Sequence, residues 1–402
     1  RSWRSEGSPL LFDGQLQAKP AYWGIVDRAQ LPTLTLRTNA PEAEAPDATQ
    51  WALLPDTSIS GETGFQLRWS GSTLVTRVTV ADATDDGAYD VVTLFGPGGA
   101  KTVTRADATD TSADGYEVLV SLPLDTAGEV GAMVPFDVRV ADHSGDVRSW
   151  NDKSNTQEES GSLGVVTLVE PVSVVAAPAA TTAPVIDGDV DAVWDGVPTL
   201  TTDRQIEGTD GARATVRVLW HGDRLDGLAE VADPQLDATS SNAWEQDSVE
   251  IFVDPVNAKA GPFNPADGQY RVNYLGVESI SGDLATIGER LTSAAKVVDG
   301  GYVVEASIAL GRTAQVGDLV GLELQVNDAA DGARTAVRSW ADPTGRSYQS
   351  TSRWGVATLA TAPDPGPGDP DPEDPKPVAP VVTTQPDRPA RFRLIPREPL
   401  SP

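Results

Sequence analysis

Apolar and polar residues alternate over short runs along much of this chain, and that period of two predicts β-strands. The clearest run is Ser248-Val249-Glu250-Ile251-Phe252-Val253-Asp254. Val249, Ile251 and Val253 fall on one face, while Ser248, Glu250 and Phe252 fall on the other. Phe65 to Trp69 and Leu74 to Val80 alternate in the same manner, separated by Ser70-Gly71-Ser72. In Gln269-Tyr270-Arg271-Val272-Asn273 the same period puts Gln269, Arg271 and Asn273 on one strand face. Residues 1 to 30 break the rule, where a loop and a short apolar segment lead to a helix opened by Pro20.

The strand pattern repeats. Gly115-Tyr116-Glu117-Val118 answers Gly301-Tyr302-Val303-Val304, and Leu67-Arg68-Trp69 answers Val218-Leu219-Trp220. Val140-Ala141-Asp142 answers Val326-Asn327-Asp328, and Arg148-Ser149-Trp150 answers Arg338-Ser339-Trp340. Asp90 to Phe95 answers Asp247 to Phe252. Two copies of one β unit are therefore expected. The polar positions do not repeat: Gly87 stands near the place of Trp244, Thr93 replaces Glu250, and Arg139 replaces Gln325.

Composition narrows the function. The formal net charge is −29 over 402 residues, which disfavours nucleic acid and anionic lipid. There is no Cys, so disulfides and thiolate metal sites are excluded. The two histidines, His143 and His221, stand far apart in sequence, against a His-rich zinc site. No apolar run reaches membrane-spanning length. Trp is commoner than Tyr or Phe, which suits sugar platforms set in a β protein rich in Gly, Thr and Val. Ala176 to Thr182 reads as a linker of small residues, and the Pro-rich stretch from Ala362 as an extended, solvated tail ending in a basic segment.

Trp244 enters the clearest strand with carboxylates close by. A flat aromatic face with hydrogen-bonding rims suits an uncharged polyhydroxylated ligand such as a sugar. An interior tryptophan over an ordinary strand is the plain alternative. With Gln269-Tyr270-Arg271-Val272-Asn273-Tyr274, Gly321-Leu322-Glu323-Leu324-Gln325-Val326-Asn327-Asp328, Ser339-Trp340-Ala341-Asp342-Pro343-Thr344 and Ala183 to Trp194, the region from about 180 to 361 resembles a family 9 carbohydrate-binding module, a β-sandwich type found on xylanases. Ser2-Trp3, Pro9-Leu10-Leu11-Phe12-Asp13 and Lys19-Pro20-Ala21-Tyr22 resemble the closing unit of a family 10 glycoside hydrolase barrel.

These resemblances imply a mainly β chain with two tandem antiparallel β-sandwiches of jelly-roll type. They would follow a short remnant of a (β/α)8 barrel and precede the Pro-rich tail. The divisions are 1–30 for the barrel remnant, 31–172 for a degenerate module, 180–361 for the binding module and 362–402 for linker and tail. The implied sugar clamp is Trp244 facing Tyr348, with Glu250, Arg271, Asn273, Gln269 and Gln325 around the rim, closing on chain reducing ends. Arg271 and Glu250 could equally be a plain cross-strand ion pair. Structural calcium is implied at Asp187, Asp189 and Asp328, with Asp191 nearby, although such residues also serve as turn formers. The expected partners are xylan, cellulose and soluble oligosaccharides. The chain would be a monomeric, secreted targeting segment of an endo-1,4-β-xylanase, whose catalytic glutamates lie elsewhere, so the segment itself should not hydrolyse xylan. The alternatives are an enzyme with its active site inside these residues and a structural or adhesive β-sandwich array.

Overall fold

The computed structural model describes residues 46–142, 145–153, 157 and 163–362, together with the backbone of 35–39. The expected barrel remnant, His143 and the tail beyond 362 lie outside those residues. Among the described residues the chain is almost entirely antiparallel sheet with short helical turns. No helix there is long and apolar enough to cross a membrane.

Among the described residues two large hydrophobic cores form, one from residues 59 to 168 and one from 175 to 359, and a small third cluster gathers Trp194, Val197, Leu219, Leu228 and Val303. Five strands of the second matter most: β1 (Ser248–Asp254), β2 (Gly268–Asn273), β3 (Glu278–Gly282), β4 (Leu319–Ala330) and β5 (Ala333–Ser339). β1 lies between β2 and β4 and is antiparallel to both, while β3 borders β2 and β5 borders β4. Val249, Ile251 and Val253 point into the core with Leu322, Leu324 and Val326. An opposing sheet, built on Arg213–His221, Arg224–Ala232 and Gly301–Ala309, covers them. Each fully buried Val, Ile or Leu contributes roughly 1.5–3 kcal/mol. The other face of β1 is buried too, which simple alternation does not anticipate. Phe252 packs on Trp354 with ring centroids 5.5 Å apart, and Phe263 meets the same indole edge-on at 5.3 Å.

The first sandwich repeats this frame residue for residue. Thr93 pairs across its sheet with Thr102 and Arg139, as Glu250 pairs with Arg271 and Gln325. The indole of Trp69 donates to the Val169 carbonyl at 2.7 Å, and that of Trp220 to the Ala360 carbonyl at 2.9 Å. Each bond ties the last strand of its sandwich to a strand it does not pair with, and in the second sandwich that strand belongs to the opposing sheet. The recurring Gly-Tyr has a steric cause. A Cβ on Gly115 would stand 2.0 Å from the Val80 oxygen, and one on Gly301 would stand 1.9 Å from the Val231 oxygen.

One expectation needs correcting. Ala176 to Thr182 is not all linker, because Val174–Pro178 is a strand running parallel to Gly355–Ala360. Small residues belong there: Val175 and Ala177 alternate inward and are buried in the second core.

Candidate functional site

On the outer face of β1 and β2 the second sandwich has a cleft of about 540 Å³. Trp244 and Tyr348 both line it, 49% and 58% exposed. Exposure of that extent rules out core tryptophan as the role of Trp244. Glu250, Gln269, Arg271 and Gln325 line the same cleft, and all four are buried. Six of the seven residues expected to bind sugar are thus brought together.

The floor is a closed polar network. Glu250 lies directly across from Arg271 in the β1–β2 register, and their side chains pair at 2.7 Å with both 93% buried or more. The same carboxylate accepts from the Gln269 amide at 2.6 Å and the Asn327 amide at 2.7 Å. Arg271 donates onward to the Ser279 hydroxyl at 3.2 Å. The ion pair and the cleft floor are therefore one structure: the pair fixes the guanidinium in place, where its remaining N–H groups can meet a ligand oxygen. The Gln325 amide has no protein hydrogen bond among the described residues.

Asn273, the seventh residue, does not line the cleft. Its oxygen accepts from the backbone N–H groups of Leu275 and Val277, and its amide donates to Gln246 Oε1 at 2.8 Å. It builds the turn after β2 and steadies the segment that presents Trp244. Sharing a strand face with Arg271 did not suffice, because Asn273 is the last residue of β2 and serves the turn. The Trp244 turn (Ala243–Glu245) is further held by Glu245, which accepts from Ser240 Oγ at 2.6 Å and Asn242 Nδ2 at 2.9 Å.

Several contributors escaped sequence reasoning. Asn327 is one, although its pairing opposite Ser248 on β4 follows once the register is known. Arg334 and Glu207 meet at 2.6 Å on the cleft wall. Glu323 is fully buried and accepts from the backbone N–H groups of Leu324, Trp340, Ala341 and Asp342, which pins the loop leading to Tyr348. Burial pushes the Glu323 carboxyl up to about 7, against those N–H donors, which favour its charged form. In that loop Asp342 accepts from Thr344 and from Ser347 Oγ. Gly345, at φ +67°, sits where a Cβ would meet Ile206 at 2.5 Å.

The residues expected to hold calcium are not brought together. Asp187 accepts from the N–H of Asp189, Asp189 pairs with Lys296, and Asp191 accepts from the N–H of Val185. These are turn contacts, near Glu305, which accepts from the N–H groups of Asp187 and Gly188. Asp328 sits apart from them, accepting from Ala212 N and Thr335 Oγ1. Among the described residues no three Asp, Glu or His side chains stand ready in metal-ligand geometry.

Asp328 does adjoin Asp233 and Asp247, with which it interacts electrostatically around the buried Tyr302. Burial pushes Asp247 up to about 7 and raises Asp233 as well. Tyr302 Oη and Asp233 Oδ2 are buried without a hydrogen-bond partner. The equivalent place in the first sandwich contains a cation. Arg105 Nη1 lies 3.6 Å from Asp90 and 3.9 Å from Asp82, and its guanidinium sits over the Tyr116 ring at 5.1 Å. Tyr274 occupies the position of Arg105 in the second sandwich, each donating its backbone N–H to the equivalent aspartate carbonyl.

The first sandwich has lost the cleft chemistry. The register puts Ala100 where Gln269 stands and Thr102 where Arg271 stands. Thr93 and Thr102 bond only to one another, at 3.1 Å, and Arg139 lies over the Phe95 ring.

Residues 186–362 match the model of the carbohydrate family 9 binding domain-like family. The chain is 34% identical over 403 residues to exoglucanase XynX of Acetivibrio thermocellus, which covers 90% of the chain and 37% of that protein. It is 33% identical over 403 residues to endo-1,4-beta-xylanase A of Thermoanaerobacterium saccharolyticum, covering 90% of the chain and 34% of the relative. The chain thus spans about a third of the length of these relatives. A family 9 carbohydrate-binding module from Caldicellulosiruptor kristjanssonii, solved in complex with cellotriose, is 33% identical and covers 50% of this chain and 100% of its own, with a TM-score of 0.45. The cleft with its two half-exposed aromatics over a charged, hydrogen-bonded floor lies inside the stretch that matches the family model, and the segment 186–362 belongs to the carbohydrate family 9 binding domain-like family.

Proposed function

We propose that the Trp244–Tyr348 cleft grips the end of a β-1,4-linked glucan or xylan chain. On this reading the segment holds a secreted xylan-degrading enzyme on its polysaccharide. The single observation that supports it is the pairing of two exposed aromatic faces with a fixed guanidinium in one cleft sized for one or two sugar rings. Aromatic faces suit the C–H surface of a pyranose, and the Arg271 and Gln325 edges suit its hydroxyls. A sugar ring at a chain's reducing end offers an extra hydroxyl that mid-chain rings lack. Binding would raise the local concentration of substrate for a linked catalytic unit. The first sandwich, with Gly87 near the place of Trp244 and Thr93 at the place of Glu250, serves as a spacer.

Calorimetric titration with cellobiose, xylobiose and reduced cellobiitol tests the reading. The first two should bind and the third should not. Equal binding of cellobiose and cellobiitol would refute end recognition, and failure of all three would favour a structural array. Incubation of the chain with xylan should release no reducing sugar.

The calcium expected at Asp187, Asp189 and Asp328 does not fit these side chains as they stand, because among the described residues no three acidic or histidine side chains form a metal-ligand group.

A further inference from the structure

A second and larger cleft, of about 780 Å³, lies between the two sandwiches. One short loop of the second sandwich serves both clefts. Gly345 and Tyr348 line the sugar cleft, while Thr344, Arg346 and Gln349 line the larger one. Whatever passes beyond Tyr348 along this loop therefore meets Arg346.

The lining of this groove runs against the charge of the chain. Arg68, Lys259, Arg346 and Arg353 stand on it against two carboxylates, Asp56 and Asp342, in a chain of net charge −29. Both carboxylates are engaged, Asp56 with Arg77 at 3.4 Å and Asp342 within its own loop. Two of the cations are engaged as well: Arg353 pairs with Glu170, and Lys259 donates to the carbonyls of Trp354 and Gly355. The other two have no carboxylate within ion-pair distance among the described residues. Arg68 is 3% exposed, donates only to the carbonyls of Leu67 and Gln50, and lies over the Trp51 ring. Arg346 is exposed, and its guanidinium makes no hydrogen bond or ion pair among the described residues.

A buried guanidinium without a counter-charge is costly unless something anionic reaches it. A second observation fixes the ligand's other chemistry. Gln66, 5% exposed on the same groove, donates its amide to the Leu54 carbonyl at 2.6 Å, yet its Oε1 is buried with no partner. An acceptor without a partner, on a groove with two cations that lack a carboxylate, suits a ligand carrying both a hydroxyl and a carboxylate. We infer that the groove is a subsite for a uronic-acid residue, carried as a branch on a polysaccharide whose end occupies the Trp244–Tyr348 cleft. This deepens the proposed function and rests on it only for the neutral part of the ligand. The substrate class that follows is an acidic xylan rather than a neutral glucan.

The test is calorimetric titration of the full chain with neutral xylotriose, with xylotriose bearing one glucuronic-acid branch, and with cellobiose, each at low and at high salt. The branched sugar should bind roughly tenfold tighter than the neutral one at low salt, the range of one added charge-assisted contact. High salt should reduce that advantage. Arg346→Gln should abolish it, and Arg346→Glu should turn it into a penalty, while cellobiose affinity stays unchanged in both. Equal binding of branched and neutral sugars, or an advantage that survives in Arg346→Glu, would overturn the inference. If cellobiose fails to bind while the Arg346-dependent preference persists, the groove stands and the reading of the first cleft falls. If no sugar binds, both fall.

Discussion

Removing the charge of Glu250 while keeping its shape probes the cleft floor most directly. In Glu250→Gln the three donors from Gln269, Arg271 and Asn327, now 2.6–2.7 Å away, remain, but the Arg271 guanidinium becomes a buried charge without a counter-charge. At an effective dielectric near 20, charges about 3 Å apart attract by roughly 5 kcal/mol, and removing one partner of such a buried pair costs about 3–5 kcal/mol. We take about 3 kcal/mol, because an amide oxygen in place of Oε1 still accepts from Arg271 and Asn327. For a unit of this size that is a fall of about 6–12 °C in melting temperature. Arg271→Met should cost less, about 2 kcal/mol, since Glu250 keeps two amide donors. The double variant should lose at least about 1.5 kcal/mol less than the sum. Scanning calorimetry, resolving the two sandwiches as separate transitions, measures all four proteins. Additivity within about 0.5 kcal/mol would show that Glu250 and Arg271 do not act as a unit and would remove the reason given for the fixed guanidinium.

Trp244→Ala should weaken cellobiose binding by about 2–3 kcal/mol, roughly 30- to 150-fold, from lost apolar area plus the stacking contribution. Its melting temperature should hardly move, since the ring is half exposed; binding within twofold of the parent would sink the platform. Glu323→Gln should flatten the pH dependence of stability. A carboxyl raised by burial to about 7 in the folded state, against about 4.5 unfolded, keeps a proton that the unfolded chain gives up. Stability therefore falls as pH rises from about 4.5 to about 7, by roughly 3 kcal/mol, and an unchanged slope in the variant would refute that origin. Gly301→Ala forces a methyl to within 1.9 Å of the Val231 oxygen, and its second sandwich should melt well below the parent. A melting temperature within about 2 °C of the parent would mean the strand gives way without cost.

How legible was this in the sequence? Alternation located β1, and the internal repeat fixed its neighbours so well that Thr93 and Arg139 are the register equivalents of Glu250 and Gln325. Patterns of period two carry that information because strand pairing preserves it. What alternation could not carry is what happens at strand ends. Asn273 has the right parity, yet it closes a turn. The aspartates near 187 have the right spacing for a cation, yet satisfy backbone N–H groups locally, as short carboxylates commonly do. Asn327 and Glu323 were within view but silent, because their partners come from strands and loops distant in sequence. The strand Val174–Pro178 hid behind alanines, whose small size reads as linker until a sheet covers them.

The duplicated sandwich also shows how one fold handles the same buried acids in two ways, and it supplies a decisive substitution. In the first copy Arg105 lies among Asp82, Asp90 and the ring of Tyr116; in the second, Tyr274 leaves Asp233, Asp247 and Asp328 without a cation among the described residues. Asp90 is still raised by burial, with Arg105 pulling the other way, whereas Asp247 is driven to about 7. With no cation bound, the second copy must hold protons there and lose stability as pH rises from about 4 toward 7, because its unfolded chain releases them first. Tyr274→Arg should remove the loss with a built-in charge. The variant gives up the packing of Tyr274 on Tyr302, whose ring centroids are 6.2 Å apart, so at pH 5 it should be less stable than the parent. At pH 8 it should be more stable. If parent and variant keep parallel pH profiles, the acids at this place are neutralised by some other means, and the parallel drawn from Arg105 fails.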